Sequence, residues 1–234
     1  MALSPIINLP VRWQVLGVDI ESLAPVRGFN EEAYDVANVN GVLLVENPSE
    51  QDVRLVLPFP VERSSAEVRV VSTDERVAFR KRDGRAEQFI ELLRGIGEIP
   101  SDQEPVLKEV REAVRDFYVA DVHLPAGSQV LRFHARQLLL PVGGDPRARE
   151  VVLFAPLAGF VLAPSGQSQM SVTVAFPPAW AAQGLSVGTP TITPLPGQSA
   201  PPEQPSGPTP VAERQIYGWL WRNDPKLTIP YRYA

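Results

Sequence analysis

Two histidines, a scatter of carboxylates and a C-terminal run of aromatic rings are the side chains of this sequence with chemical capacity. His134 lies inside an alternating segment and shares its face with Arg132 and Arg136, while His123 precedes a Leu-Pro turn. A histidine mid-strand is ordinarily exposed or paired across the sheet, and neither residue belongs to a metal-binding spacing such as His-Glu-x-x-His. The chain has no cysteine, which removes disulfides, thiolate metal sites and a cysteine nucleophile together. Gly-x-Ser-x-Gly and the glycine patterns that cradle nucleotides are also missing from the sequence. Gly143-Gly144-Asp145 is too short for a phosphate loop, and Asp74, Glu75 and Asp83 lack the regular oxygen spacing of a calcium loop.

Carboxylates are the remaining reactive groups. Asp19, Glu21, Asp35 and Glu46 fall at strand ends and in loops, and a glycoside hydrolase needs two such groups held across a cleft. Solubility accounts for them equally well. The residues therefore assign no catalytic side chain, no cofactor and no metal. The aromatic end is the clearest pointer to recognition: Tyr217, Trp219, Trp221, Tyr231 and Tyr233 form a candidate partner-binding set. Trp219 and Trp221 share one strand parity and so one face, and such rings are common at interface hot spots. The competing role for the same rings is to fill the core.

The elements that must position these groups are mainly strands. Twenty-five prolines spread along 234 residues disfavour long helices. Alternation predicts strands at Leu9–Ile20, Gly41–Glu46, Val53–Phe59, Tyr118–Leu124, Val130–Leu140 and Gln169–Phe176. Val68–Val71 and Arg76–Arg80 read as a further pair, and Phe29–Asn40 as a loop or short helical turn. Asn47-Pro48-Ser49 has turn chemistry. Between about 87 and 117 the spacing changes: Phe89, Ile90, Leu92 and Leu93 predict one helix, and Val106, Leu107, Val110, Val114 and Phe117 a second.

The expected fold is thus mainly β, a β-sandwich or sandwiches with a helical insertion at about 87–117. Two parts are expected: residues 1–143 with that insertion, and residues 144–234. The second part would contain a Pro-rich linker at 189–210, too polar to order itself, and a returning aromatic segment.

Charge narrows the partners. Lysine and arginine number 22 against 27 acids, a formal charge of -5, so nucleic acid is not an expected partner. One basic run, Arg76, Arg80, Lys81, Arg82 and Arg85, surrounds the Asp83-Gly84 turn and suits a solvated hairpin tip or an anionic partner surface. No stretch approaches a membrane-spanning apolar length, and Met1–Pro10 does not read as a leader.

Val45-Glu46-Asn47-Pro48-Ser49 followed by Leu57-Pro58-Phe59-Pro60 resembles the strand, Asn-Pro turn, strand and Phe-Pro phrase of vault/inter-alpha-trypsin-type β-sandwich domains. His123-Leu124-Pro125-Ala126-Gly127 and Trp219-Leu220-Trp221-Arg222-Asn223-Asp224-Pro225 are similar to phrases in bacterial envelope β-sandwich ectodomains. The resemblance implies an extracytoplasmic or cell-envelope sandwich and carries over no catalytic residues. A non-catalytic binding, scaffolding or assembly module with a protein partner or self-association is the function expected from all of this. A carbohydrate-active hydrolase using a carboxylate pair is the alternative.

Overall fold

The computed structural model describes residues 9, 11–30, 32–62, 68–72, 79–82, 86–96, 108, 111–112, 114–154, 169–178, 180–182, 184–193, 206–221 and 226–234. The strands in chain order are β1 (Val11–Glu21), β2 (Asp35–Asn47), β3 (Val53–Glu62), β4 (Val68–Ser72), β5 (Arg80–Arg82), β6 (Val114–Leu124) and β7 (Gly127–Leu139). They continue as β8 (Ala148–Phe154), β9 (Gln169–Ala175), β10 (Ser186–Val187), β11 (Thr191–Thr193), β12 (Ser206–Val211), β13 (Arg214–Trp221) and β14 (Lys226–Arg232). Interspersed among them are the helices α1 (Ala24–Arg27) and α2 (Ala86–Ile96). The fold is mainly β, as the alternation predicts.

A seven-stranded sheet in the order β12-β13-β9-β1-β2-β7-β4 is the main layer. On β1, β2, β7, β9 and β13 one parity is buried and the other faces outward: Leu16, Val18 and Ile20 point in, while Trp13, Val15 and Asp19 point out. Two smaller sheets pack on its inner face. In the first, β3-β6-β5, Phe59 of β3 meets Phe133 of β7 edge-on at 5.7 Å. In the second, β14 pairs with β8 along one side and with β10 and β11 along the other, and Tyr231 meets Phe176 at 5.5 Å. One apolar cluster runs through all three sheets.

Several elements differ from the sequence reading. Asp35–Asn40 is not loop but the first half of β2, paired with β7 throughout and with β1 from Val36 onward. Of the pair expected from Val68–Val71 and Arg76–Arg80, β4 adds to β7 in the large sheet and Arg80 begins β5, which adds to β6 in the small one; 76–78 lie outside the described residues. Within the helical insertion, α2 forms, with Phe89 and Ile90 buried and the Phe89 ring 5.3 Å from Phe117. The second helix was expected to run through Phe117. Lys108, Arg111 and Glu112 are helical, but Val114–Phe117 begin β6. The ladder to β3 explains the early switch, since Glu62, Val61 and Pro60 oppose this stretch and β-branched or aromatic side chains suit a strand. Leu107 and Val110 lie outside the described residues.

Of the expected linker at 189–210, Thr191–Thr193 pairs with β14 and Ser206–Val211 with β13. These ends order because a neighbouring ladder supplies bonds that their own composition does not. The stretch 194–205 lies outside the described residues. The division expected at 143/144 does not separate the sheets: β9 runs parallel to β1, and β13 pairs with β9, so both halves of the chain build the large layer.

Close packing within that layer depends on one glycine. Gly41 of β2 lies directly opposite Phe133, and a Cβ there would sit 2.1 Å from the phenyl ring. The ring cannot swing away freely, because it is buried and packed on Phe59. Gly41→Ala should therefore destabilise the fold by about 1–3 kcal/mol through overpacking, read as a lower urea midpoint with unchanged slope. An unchanged midpoint would show that the ring is free to move.

Candidate functional site

The acid with the most elaborate surroundings is Asp35, the first residue of β2. It is fully buried. Its Oδ1 accepts the backbone N–H groups of Leu23 and Ala24, both at 2.9 Å, and so caps the short turn α1 from a distant part of the chain. Its Oδ2 accepts the phenol O–H groups of Tyr231 at 2.8 Å and Tyr233 at 2.7 Å. Arg149 of β8, also fully buried, brings its Nε to 3.4 Å from the same oxygen. The guanidinium donates its other hydrogens to the backbone carbonyls of Pro146 and Ala33, each at 2.8 Å. Tyr233 also shares a hydrogen bond with Ser22 and packs its ring on Phe29 at 5.3 Å.

Burial pushes both phenols above the usual tyrosine range, and the negative charge of Asp35 pushes them further. Such a carboxylate is a structural joint. Its lone pairs are filled from four directions, and no solvent reaches it.

Two of the other candidate acids lie in separate ion pairs. Asp19 is paired with Arg214, and Glu46 with Arg12 at 2.5 Å. Hydrogen bonding from Arg12 holds the Glu46 carboxyl below its ordinary range. Glu21 ends β1 on the exposed face. The structure does not bring these four together into a pair across a cleft.

The five aromatic residues of the candidate partner-binding set lie on β13, on β14 and just beyond β14. Tyr217, Trp219, Tyr231 and Tyr233 are all buried, and Tyr217 stacks on Trp219 with centroids 6.1 Å apart. They fill core rather than present a surface; Trp221 ends β13. For Tyr217 and Trp219 the physical reason is the pairing of β13 with β9, which sets them beside the buried Val174 and Val172, and for Tyr231 it is the inward parity of β14, shared with Leu227 and Ile229. His134 is paired across the sheet, its Nδ1 lying 3.0 Å from Asn40 Oδ1, and His123 is exposed at the end of β6. From the basic run, Arg80 and Arg82 border a groove of about 130 Å³ with Val119 and Asp121, and Arg54 pairs with Asp121 at 3.1 Å. Arg76 and Arg85 lie outside the described residues.

What the sequence reading missed is a recess on the outer side of the strands that carry the buried joint. It has a volume of about 300 Å³; Val142, Ala148, Glu150, Ser186, Pro230 and Arg232 line it, together with Arg149 and Tyr231 of the joint. The floor is β14 flanked by β8 and β10; Gly188 closes the wall, its N–H bonded to the Pro230 carbonyl at 2.8 Å. A Cβ on Gly188 would stand 3.0 Å from the Pro230 ring, so glycine lets this wall approach. The loop between β7 and β8 forms the rim, braced by the Val142–Asp145 bridge and by Arg232 on Asp145 at 3.1 Å. Glu150 is exposed opposite Pro230. Arg149 was legible in part. It shares strand parity with Val151 and Leu153, which marks an arginine aimed into the core.

Among the described residues no helix is long and apolar enough to cross a membrane, and no three His, Asp or Glu side chains cluster as metal ligands would. No protein-family model matches the chain, and no curated protein matches it by sequence. Solved structures do resemble it in fold. One is described as a "putative nutrient binding protein" from Legionella pneumophila; it is 10% identical, with a TM-score of 0.50, over 97% of this chain and 70% of that one. That neighbour is not a vault or inter-alpha-trypsin-type domain.

The joint makes a pH-dependent prediction. An unfolded tyrosine ionises near pH ~10, whereas both buried phenols hold their protons higher. Their contribution is intact below about pH 10 and is lost as pH rises toward the folded values, at about 1.4 kcal/mol per pH unit for each phenol. Urea unfolding across this alkaline range should show the loss, and the double variant Tyr231→Phe, Tyr233→Phe should flatten it. An equally steep fall in the double variant would remove these phenols as the cause.

Proposed function

We propose that this protein is a non-catalytic binding module whose ligand site is the recess over β8, β14 and β10. The observation that supports this most directly is the division of labour across those strands. Arg149 and Tyr231, Asp35's buried partners, fix these strands from the core side and also border the hollow, which the exposed side of the same strands leaves mostly apolar with a few hydrogen-bonding groups at its edge. A small molecule is recognised by such a combination of apolar wall and sparse polar rim. At about 300 Å³ the hollow is at the small end of ligand sites, which suits a compact metabolite-sized ligand with an apolar body. The Glu150 carboxylate and the Arg232 guanidinium give the rim both signs of charge. Fold similarity to the Legionella protein, described in terms of nutrient binding, is consistent with this role.

The reading is tested with a panel of small metabolites followed by thermal shift and amide chemical-shift mapping. Binding should raise the melting temperature and move resonances of Ala148, Ser186 and Pro230's neighbours. A saturating ligand at a hundredfold its Kd stabilises by about 2.7 kcal/mol. Ser186→Trp, at an exposed position, should fill the hollow and weaken binding at least about tenfold without lowering the melting temperature of the free protein. Turnover of chromogenic glycosides by the parent, lost in Asp35→Asn while that variant stays folded, would instead favour the hydrolase reading.

A further inference from the structure

The outer face of the seven-stranded sheet carries a second pattern, independent of the recess. Its registers set four rows across β1, β2 and β7. Trp13, Leu44 and Val130 form the first row, and Val15, Val42 and Arg132 the second. Gly17, Asn40 and His134 form the third, and Asp19, Asn38 and Arg136 the fourth. The face therefore passes from apolar to cationic along the strands.

The apolar end is open to solvent: Trp13 is 47% exposed and Val15 41%, and on the same face Leu220 of β13 is 58% exposed, one strand beyond Ser171 of β9. Contiguous exposed apolar surface on a sheet face marks an interaction site. The cationic end is unpaired. Arg12, Arg54, Arg214 and Arg232 each have a carboxylate partner, but Arg132 and Arg136 make no ion pair among the described residues. Both are exposed, and their neighbours on β2 are the neutral Asn38, Asn40 and Val42. The one acid in these rows, Asp19, is already held by Arg214. The Asn40 amide oxygen takes the Nδ1 proton of His134, which orients the ring between the two guanidiniums. In a protein of net charge -5, two free arginines fixed on an interior strand of a sheet are a local inversion of sign.

From this juxtaposition we infer that the outer face over β2 and β7 docks an extended, acidic segment of a partner protein. Pitch and charge select that occupant. Side chains on one face of a strand recur every ~6.8 Å, so Arg132 and Arg136 stand ~14 Å apart, and an extended peptide presents its own alternate side chains at the same interval. Carboxylates at matching positions meet both guanidiniums, each with a planar fork that suits bidentate binding. An apolar residue at the leading end of the segment falls on Trp13, Leu44 and Val130, where an aromatic anchor contributes most of the affinity.

The probe is a fluorescein-labelled synthetic peptide with leucine at its first position and glutamate at its third and seventh, the rest threonine. Fluorescence anisotropy measures its binding to the full chain, beside an isomer with the two glutamates adjacent. The alternating peptide should bind more tightly than the isomer, and raised salt should weaken it. Arg132→Gln with Arg136→Gln should weaken binding at least about tenfold, and Trp13→Ala should weaken it while leaving the salt dependence in place. Arg80→Gln with Arg82→Gln, on the separate basic groove, should change nothing. All these residues are exposed, so circular dichroism and melting checks should show folded variants. Equal binding by the isomer, or undiminished binding by the Arg132/Arg136 double variant, overturns the inference. Binding of a sulfated glycan or an oligonucleotide to this face with no peptide binding also overturns it.

Discussion

A single buried carboxylate joins the parts of this fold that are most distant in sequence. Asp35 opens β2, its Oδ1 caps α1, and its Oδ2 faces Arg149 and two tyrosines from the C-terminal end of the chain. An ionised group inside an apolar core is costly unless every lone pair is answered. The chain answers it with two N–H groups, two phenols and a guanidinium whose remaining hydrogens go to backbone carbonyls. Packing alone could bring the smaller β8–β14 sheet onto the large one in several registers. The two phenols and the guanidinium reach Asp35 only in the register observed, so a shifted pairing would leave a buried charge unanswered.

The same joint explains why the outer side of β8 and β14 is available for recognition. Strands held rigidly on their inner face need no further cover, and the short β10 approaches close enough through Gly188 to wall off a hollow. The most elaborately bonded acid, Asp35, is sealed, whereas the recess is bordered by apolar residues with Glu150 and Arg232 at its edge. Chemistry of the acid–base kind needs the reverse arrangement, with a perturbed group in reach of substrate.

Strand identity was largely written in local pattern. The alternation of Leu131, Phe133, Ala135, Gln137 and Leu139 specified β7 and its buried face, and the turn at Asn47 follows from a side chain whose Oδ1 accepts the Ser49 N–H. The burial of four C-terminal rings is what an aromatic-rich segment returning as strands requires. Helix and strand periods were confused only where they coincide over a few residues, at Val114 and Phe117, and the ladder with β3 decided that case. A polar composition likewise said nothing of Thr191–Thr193 and Ser206–Val211, whose order comes from partners.

The sequence by itself determined the β class, the inward and outward parity of the central strands and the lack of thiol chemistry, because these depend on residue type and on neighbours two or four positions away. Tertiary structure decided everything that depends on which strands become adjacent. Parallel pairing of β1 with β9 merged the two expected parts into one sheet, and only that sheet's order places Trp13, Leu44 and Val130 in one row beside Arg132. Asp35 lies 114 residues before Arg149 and 198 before Tyr233, so no local pattern relates them. The sequence reading places Asp35 in a loop and so does not mark it as a buried charge in need of a partner. Which partner it met was settled by the packing of one sheet on another.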